Sequence, residues 1–283
     1  MIGYIHSPDN MEPVHFFDAH THLQFPPYDA DREEVFARAK AAGVKMINVG
    51  TQYSTSYAGV DFARKHAGDA WAAVGFHPAH FSVNWFHDKH EQAAVEREEL
   101  NVENLRKLAF EPETVAVGEC GLDYFRIKDE ESKRRQKEGF LAQIELAHEA
   151  GKPLMIHCRA AFSDLLDVLS FRRSSLTANP GTVHFFTGTP ADARKLLDLG
   201  FSFTFGGVIT FARDYDEAIR AIPLDRILSE TDAPYVSPAP YRGKRNEPAY
   251  VVETVKKLAE LKGVSMEEMA ARIRENANRI FGI

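Results

Sequence analysis

Cysteine is nearly absent from this chain of 283 residues: Cys120 and Cys158 are the whole supply. So few cysteines cannot build a disulfide framework, and the count fits a reducing compartment. Long apolar runs are missing too. No stretch reaches the roughly 18 consecutive apolar residues that a membrane-spanning helix needs. The opening residues, MIGYIHSPDNMEPVH, lack the basic start and apolar core of a secretory signal. The expected setting is therefore the cytoplasm. Positive charge is also in short supply, with 34 Lys and Arg against 41 Asp and Glu and a formal net charge of -7. That excludes a broadly basic nucleic-acid-binding surface and leaves room only for a local positive patch. No glycine-rich phosphate loop is present, since Gly206-Gly207 is too short to form one.

What the chain does have is alternation. Short runs rich in Val, Ile and Phe recur with amphipathic, charged stretches between them. Val14–Asp18 precedes a helix over Arg32–Ala42, Lys45–Val49 precedes one over Ser54–Ala67, and Ala70–Val74 leads through a polar stretch to Val102–Leu108. The pattern continues with Val115–Val117 and Glu130–Ala150, Pro153–Ile156 and Phe162–Leu169, Val183–Phe185 and Pro190–Leu199. It closes with Phe201–Phe205 and Tyr215–Ala221, then Ile227–Ser229 followed by helices over Ala249–Leu261 and Ser265–Phe281. Strands that are apolar throughout and separated by helices predict a parallel sheet covered by helices. Repeated over this length, the pattern predicts an α/β (β/α)8 TIM barrel. A doubly wound open sheet is the alternative. The barrel is expected to form a single domain over residues 14–283, after an N-terminal extension of residues 1–13. Gly43, Gly151, Gly200 and Gly263 each follow a helical stretch, as helix-stop signals do. The segment 81–99 is expected to be an excursion over the barrel mouth with an amphipathic helix inside it.

Polar residues cluster at the predicted strand ends. FFDAHTHL places His20 and His22 two residues apart, on one side of a strand, with Asp18 on the same parity. GFHP carries His77, GECGLDY carries Glu119, MIHCR carries His157, HFFTG carries His184, and ETDAPY carries Asp232. In a barrel all these ends open on the face where active sites of this architecture lie. Each residue alone fits a turn or a buried group bonded to a neighbour. Together they would bury too much unpaired polar surface unless a metal satisfied them. Imidazole and carboxylate donors suit Zn, Mn, Fe, Co or Ni. Six donors are too many for one tetrahedral zinc, whereas two ions about 3.5–4 Å apart would use them. Glu119 is then the natural bridge. Asp18 is expected to hold its loop by hydrogen bonds. His6, His66, His80, His87, His90 and His148 are expected at the surface, with His15 beside the first strand. Lys152 precedes its strand and does not fit a carboxylated bridging lysine.

Taken together, FDAHTHL, GFHP, GECGLDY, MIHCR, HFFTG and ETDAPY resemble the TatD-like metal-dependent hydrolases, a branch of the amidohydrolase superfamily. The resemblance covers nearly the whole chain and implies a TIM-barrel deoxyribonuclease that removes nucleotides from DNA 3′ ends. It implies that His20, His22, Glu119 and Asp232 hold one divalent ion, and that Glu119, His157 and His184 hold a second. The ions would come from Zn, Mn, Mg, Fe, Co or Ni, with a third beside His77 or a phosphate in that place. Asp232 would orient the attacking water and take its proton, with Glu119 as the other catalytic carboxylate. The segment 81–99 looks longer and more acidic than the usual family loop. For the substrate, Arg159 should reach the mouth, and YRGKRNEP supplies Arg242, Lys244 and Arg245 for phosphates. Tyr124, Phe125 and Trp85 would stack on bases, favouring single strands. The competing functions are a hydrolase of an aminoacyl ester or amide, such as D-aminoacyl-tRNA, on the same centre, and a non-enzymatic metal protein. No membrane association or obligate protein partner is expected.

Overall fold

Strand and helix alternate as the apolar spacing predicts. A computed structural model describes residues 15–93 and 95–283, so the N-terminal extension and His6 lie outside the described residues. The strands are β1 (Phe16–Thr21), β2 (Val44–Val49), β3 (Ala70–Val74), β4 (Thr114–Asp123), β5 (Leu154–Arg159), β6 (Gly181–Val183), β7 (Ser202–Phe205) and β8 (Ile227–Ser229). They form one eight-stranded sheet in sequential order, with parallel pairing throughout. The sheet curls until β8 meets β1. Ser229 donates to the Phe17 carbonyl at 2.7 Å, and beyond β8 Asp232 N donates to His20 O in β1 and Ala233 O accepts from His22 N, both at 2.8 Å. The architecture is a (β/α)8 barrel.

The helices are α1 (Arg32–Ala41), α2 (Tyr53–Lys65), α3 (Val102–Ala109), α4 (Glu130–Ala150), α5 (Phe162–Phe171), α6 (Pro190–Asp198), α7 (Asp216–Ala221), α8 (Val251–Lys262) and α9 (Met266–Phe281). Several begin on caps written in the sequence. Asn101, Asp129 and Ser265 each accept a first-turn backbone N–H, and Thr189 with Asp192 forms a capping box. α4 and α8 stop where Gly151 and Gly263 take left-handed backbone, φ 64° and 68°. Leu, Ile, Val and Phe fill the barrel and the layer beneath the helices, with Met46, Ile47, Phe140, Met155 and Phe203 fully buried. Among the described residues no helix is long and apolar enough to cross a membrane.

The segment between β3 and α3 departs from expectation. Beyond a short 3-10 turn at Pro78–Phe81, the described residues up to α3 contain no helix. The amphipathic pattern there does not become a helix because its polar residues are used across the barrel mouth. Tyr235 donates to Asp88 at 2.9 Å, His80 Nε2 lies 2.7 Å from Glu91, Thr51 also bonds Glu91, and Gln52 donates to Gln92 at 2.5 Å. His80 is accordingly buried rather than at the surface, and His15 is exposed rather than tucked beside the first strand.

Candidate metal centre

Two irregularities in the sheet aim the central donors. The β1–β2 register shifts between Asp18 and Thr21, and the β4–β5 register shifts between Val117 and Cys120. An extra residue of this kind bends a strand and re-aims a side chain. In β1 the shift brackets His20, and in β4 it brackets Glu119. The glycines of GECG are required by the close approach of β5. A Cβ on Gly118 would lie 2.3 Å from the Met155 carbonyl oxygen, and one on Gly121 (φ 135°) 2.0 Å from that of His157.

Glu119 sits at the centre, buried, with its two oxygens facing different donors. Oε2 lies 3.3 Å from His20 Nε2 and 3.8 Å from His22 Nε2. Those two nitrogens are 3.2 Å apart, and Asp232 Oδ1 completes the group at 3.8 Å and 3.4 Å from them. Oε1 lies 2.8 Å from His184 Nε2, 2.9 Å from His157 Nδ1 and 3.4 Å from His77 Nε2. Burial would raise the Glu119 carboxyl, but the surrounding imidazoles, His184 and His77 foremost, hold it well below the ordinary carboxylate range. It is therefore an anion ringed by imidazole nitrogens.

The outer atoms of each ring decide which nitrogen is available. His22 Nδ1 donates to the Val49 carbonyl at 2.7 Å, which leaves the Nε2 lone pair pointing at the centre. His157 is turned the other way. Its Nε2 lies 3.1 Å from Asp123 Oδ2, so Nε2 carries the proton and Nδ1 is the free donor beside Glu119 and His184. His184 stacks on His20 at 4.0 Å between ring centroids and turns Nδ1 toward Glu230, 3.7 Å away. His77 differs from all of these. Its Nδ1 accepts from Ala79 N at 3.1 Å, so a neutral ring carries its proton on Nε2, the atom that faces Glu119. Burial pushes this imidazole down to about 4, which keeps it neutral. Three groups have donor atoms close enough to hold an ion: His20 with His22 and Asp232, His20 with Glu119 and His184, and His77 with Asp123 and His157. His20 Nδ1 and His184 Nδ1 have no hydrogen-bond partner although buried. Such a concentration of buried donors fits divalent metal and is hard to satisfy otherwise.

Not every candidate reaches this place. His184 is the first residue past β6 rather than inside the strand, and His77 and Asp232 stand three residues beyond β3 and β8. Asp232 takes left-handed backbone at φ 54°, which Asp tolerates better than most residues. Asp18 holds its neighbours, accepting from Thr231 N at 2.8 Å and Thr231 Oγ at 2.5 Å. Arg159 lines the cleft of about 870 Å³ above the centre, as do Phe125 and Trp85. Arg242 lies elsewhere, with its guanidinium 3.8 Å over the Phe211 ring. Tyr124 donates to Asp164 at 2.8 Å, away from the cleft. Arg245 is bound to Asp31 at 2.6 and 2.8 Å and to Glu247 at 3.3 Å, so it braces the barrel instead of presenting a phosphate site. Sequence reasoning missed Asp123, whose parity with Glu119 in GECGLD was the available signal. It also missed Gln136, which accepts from Asp123 N at 2.9 Å and donates to Asp123 O at 3.0 Å, fixing the backbone of that residue from α4.

A family described as TatD related DNase matches residues 17–282. The chain belongs to this TatD family. It is 38% identical over 270 residues to a Bacillus subtilis (strain 168) protein named Uncharacterized metal-dependent hydrolase YabD, covering 94% of this chain and 99% of that one. It is 35% identical over 275 residues to the 3'-5' ssDNA/RNA exonuclease TatD of Erwinia amylovora, covering 94% of this chain and 100% of that one. In structure it is similar to the Escherichia coli TatD homolog YJJV, with a TM-score of 0.81 and 28% identity over 96% of this chain and all of that one. As a TatD-family member the chain is a metal-dependent hydrolase, and the expected fold and family hold together.

Proposed function

We propose that this chain is a 3′–5′ exonuclease that removes mononucleotides from single-stranded DNA, with two divalent ions bridged by Glu119. The observation that carries the proposal is the pair of Glu119 oxygens, one turned to His20, His22 and Asp232 and the other to His157 and His184. When bound, a pair of ions supplies Lewis acidity that polarises the phosphoryl group and makes water nucleophilic at neutral pH. Relatives named as 3'-5' ssDNA/RNA exonucleases support the substrate and direction. The free, buried thiols of Cys120 and Cys158 suit a reducing, cytoplasmic setting. The barrel is read as one domain from residue 14 onward.

The chain's own groups then have distinct parts. Asp232, the more exposed of the two central carboxylates, orients the attacking water and accepts its proton. The water oxygen bonds to phosphorus as the bond to the leaving 3′ oxygen breaks. That oxygen takes up a proton, so the products are a 5′-mononucleotide and a strand ending in a 3′-hydroxyl. His77, neutral and with Nε2–H facing inward, donates to a non-bridging phosphoryl oxygen and does not act as a ligand. Asp123 fixes the His157 tautomer that exposes Nδ1. Arg159 at the mouth contacts a phosphate.

The test is product analysis with metal-replete protein on 3′-labelled and 5′-labelled single strands, duplex DNA and RNA, beside a D-aminoacyl-tRNA. Mononucleotides are expected from the 3′ label first, faster from single strands. Rapid ester cleavage with no action on nucleic acid would transfer the centre to the aminoacyl-ester reading.

A further inference from the structure

Two large aromatic rings stand exposed on the rim of the cleft. Phe86, from the excursion after β3, is 69% exposed, and Phe125, from the loop after β4, is 57% exposed. Both line the same cleft as the metal centre. Each carries a guanidinium, with Arg126 5.8 Å from the Phe86 ring and Arg159 3.7 Å from the Phe125 ring. Arg126 follows Phe125 in the chain, so the excursion meets the β4 loop at this point. Among the described residues neither arginine is paired with a carboxylate within 4.0 Å.

The neighbouring aromatics are held by other side chains. Trp85 packs among His80 and His87, at 6.2 and 6.0 Å between ring centroids, and Tyr124 is tied to Asp164. The excursion that carries Phe86 is anchored before it by Val83 N donating to Ser132 Oγ at 2.9 Å, and after it by Asp88 to Tyr235 and by Glu91 to His80 and Thr51. Phe86 is therefore an exposed ring on a fixed support, with unpaired cations beside it. Flat apolar faces alternating with positive charge suit a ligand that alternates flat bases with phosphates.

We propose that Phe86 and Phe125, with Arg126 and Arg159, form a stacking subsite for the bases upstream of the cleaved phosphodiester, and that Phe86 determines the preference for unpaired strands. This rests on the exonuclease reading above. An unpaired base exchanges water for a ring face. The bases of a blunt duplex end are already paired and stacked and gain much less.

The experiment compares wild type, Phe86→Ala and Phe86→Trp on two substrates. One is a 3′-labelled single-stranded oligonucleotide. The other is the methyl ester of thymidine 5′-phosphate, which has a phosphodiester to cleave and neither an upstream base nor any ring in its leaving group. Stacking on one ring predicts about a ten-fold higher KM on the oligonucleotide for Phe86→Ala, with kcat and the ester reaction unchanged and Phe86→Trp restored. Placing abasic sites upstream in the oligonucleotide should remove most of the difference between wild type and Phe86→Ala. An unchanged KM on the oligonucleotide overturns the subsite. So does an equal loss on both substrates, which marks Phe86 as structural. A wild type that cleaves neither substrate overturns the exonuclease reading itself, and with it the subsite.

Discussion

The metal centre and the rim above it are built in opposite ways. Donors at the centre come from strand ends or just past them; His20, His22, Glu119 and His184 are buried, His157 and Asp232 are partly buried, and backbone and carboxylate partners set ring orientation, as Val49 does for His22 and Asp123 for His157. On the rim, Phe86, Phe125 and Arg126 stand on loops and Arg159 ends β5; all four are exposed, and the two guanidiniums lie over ring faces and not against carboxylates. A centre of this kind carries out one chemistry, while a rim of this kind sets what is presented to it. Basic residues on the same face show the contrast again. Arg159 is open to the cleft, whereas Arg245 is consumed by Asp31 and Glu247.

The sharpest way to break the contrast is at Glu119. Glu119→Gln should lower kcat the most of any single change, because one residue faces both donor groups. Asp232→Asn keeps one ligand oxygen but accepts a proton poorly. Its turnover should fall by a factor of about 10²–10⁴, with KM for DNA changed less, as steady-state kinetics would show. Near-normal turnover at equal metal content would assign the proton to another group. Asp123→Asn acts one step out. Losing the partner of a ligating imidazole should weaken metal binding by about 10- to 100-fold, measured by competition with a chelator, and the loss should be recovered at high metal concentration. The smallest effects separate the two arginines. Arg159→Ala should raise KM alike across DNA sequences, since phosphate contacts carry no direct sequence information. Arg245→Ala should leave KM unchanged and lower the melting temperature through its lost ion pairs. A KM effect from Arg245 equal to that from Arg159 would erase the distinction drawn here.

Much of the barrel was legible because its signals are local. Apolar runs, the caps at Asn101, Asp129, Thr189 and Ser265, and the stops at Gly151 and Gly263 each act within a few residues. The donors were legible as a group because a parallel barrel brings every strand end to one face. Their finer geometry was not. The register shifts around His20 and Glu119 depend on how β2 and β5 pair, which spacing within one strand does not reveal. The tautomers of His77 and His157 depend on Ala79 and Asp123, and only the second of these lies in a different segment of the chain from its histidine. The amphipathic spacing in the excursion is real and predicts a helix inside it. Its Asp88, Glu91 and Gln92 are instead spent on Tyr235, His80, Thr51 and Gln52, contacts with other parts of the barrel. Arg245 is taken up in the same way, by Asp31, which lies far from it in the chain.

The account turns on Glu119 serving both donor groups at once, and metal content by elemental analysis, with each site located by anomalous scattering, tests that directly. Wild type saturated with Zn or Mn should hold two ions on opposite sides of the Glu119 carboxylate, and Glu119→Gln should lose affinity at both positions together. A Glu119→Gln protein that keeps one ion at wild-type affinity, or a saturated wild type holding a single ion through His20, His22 and Asp232 alone, would contradict it.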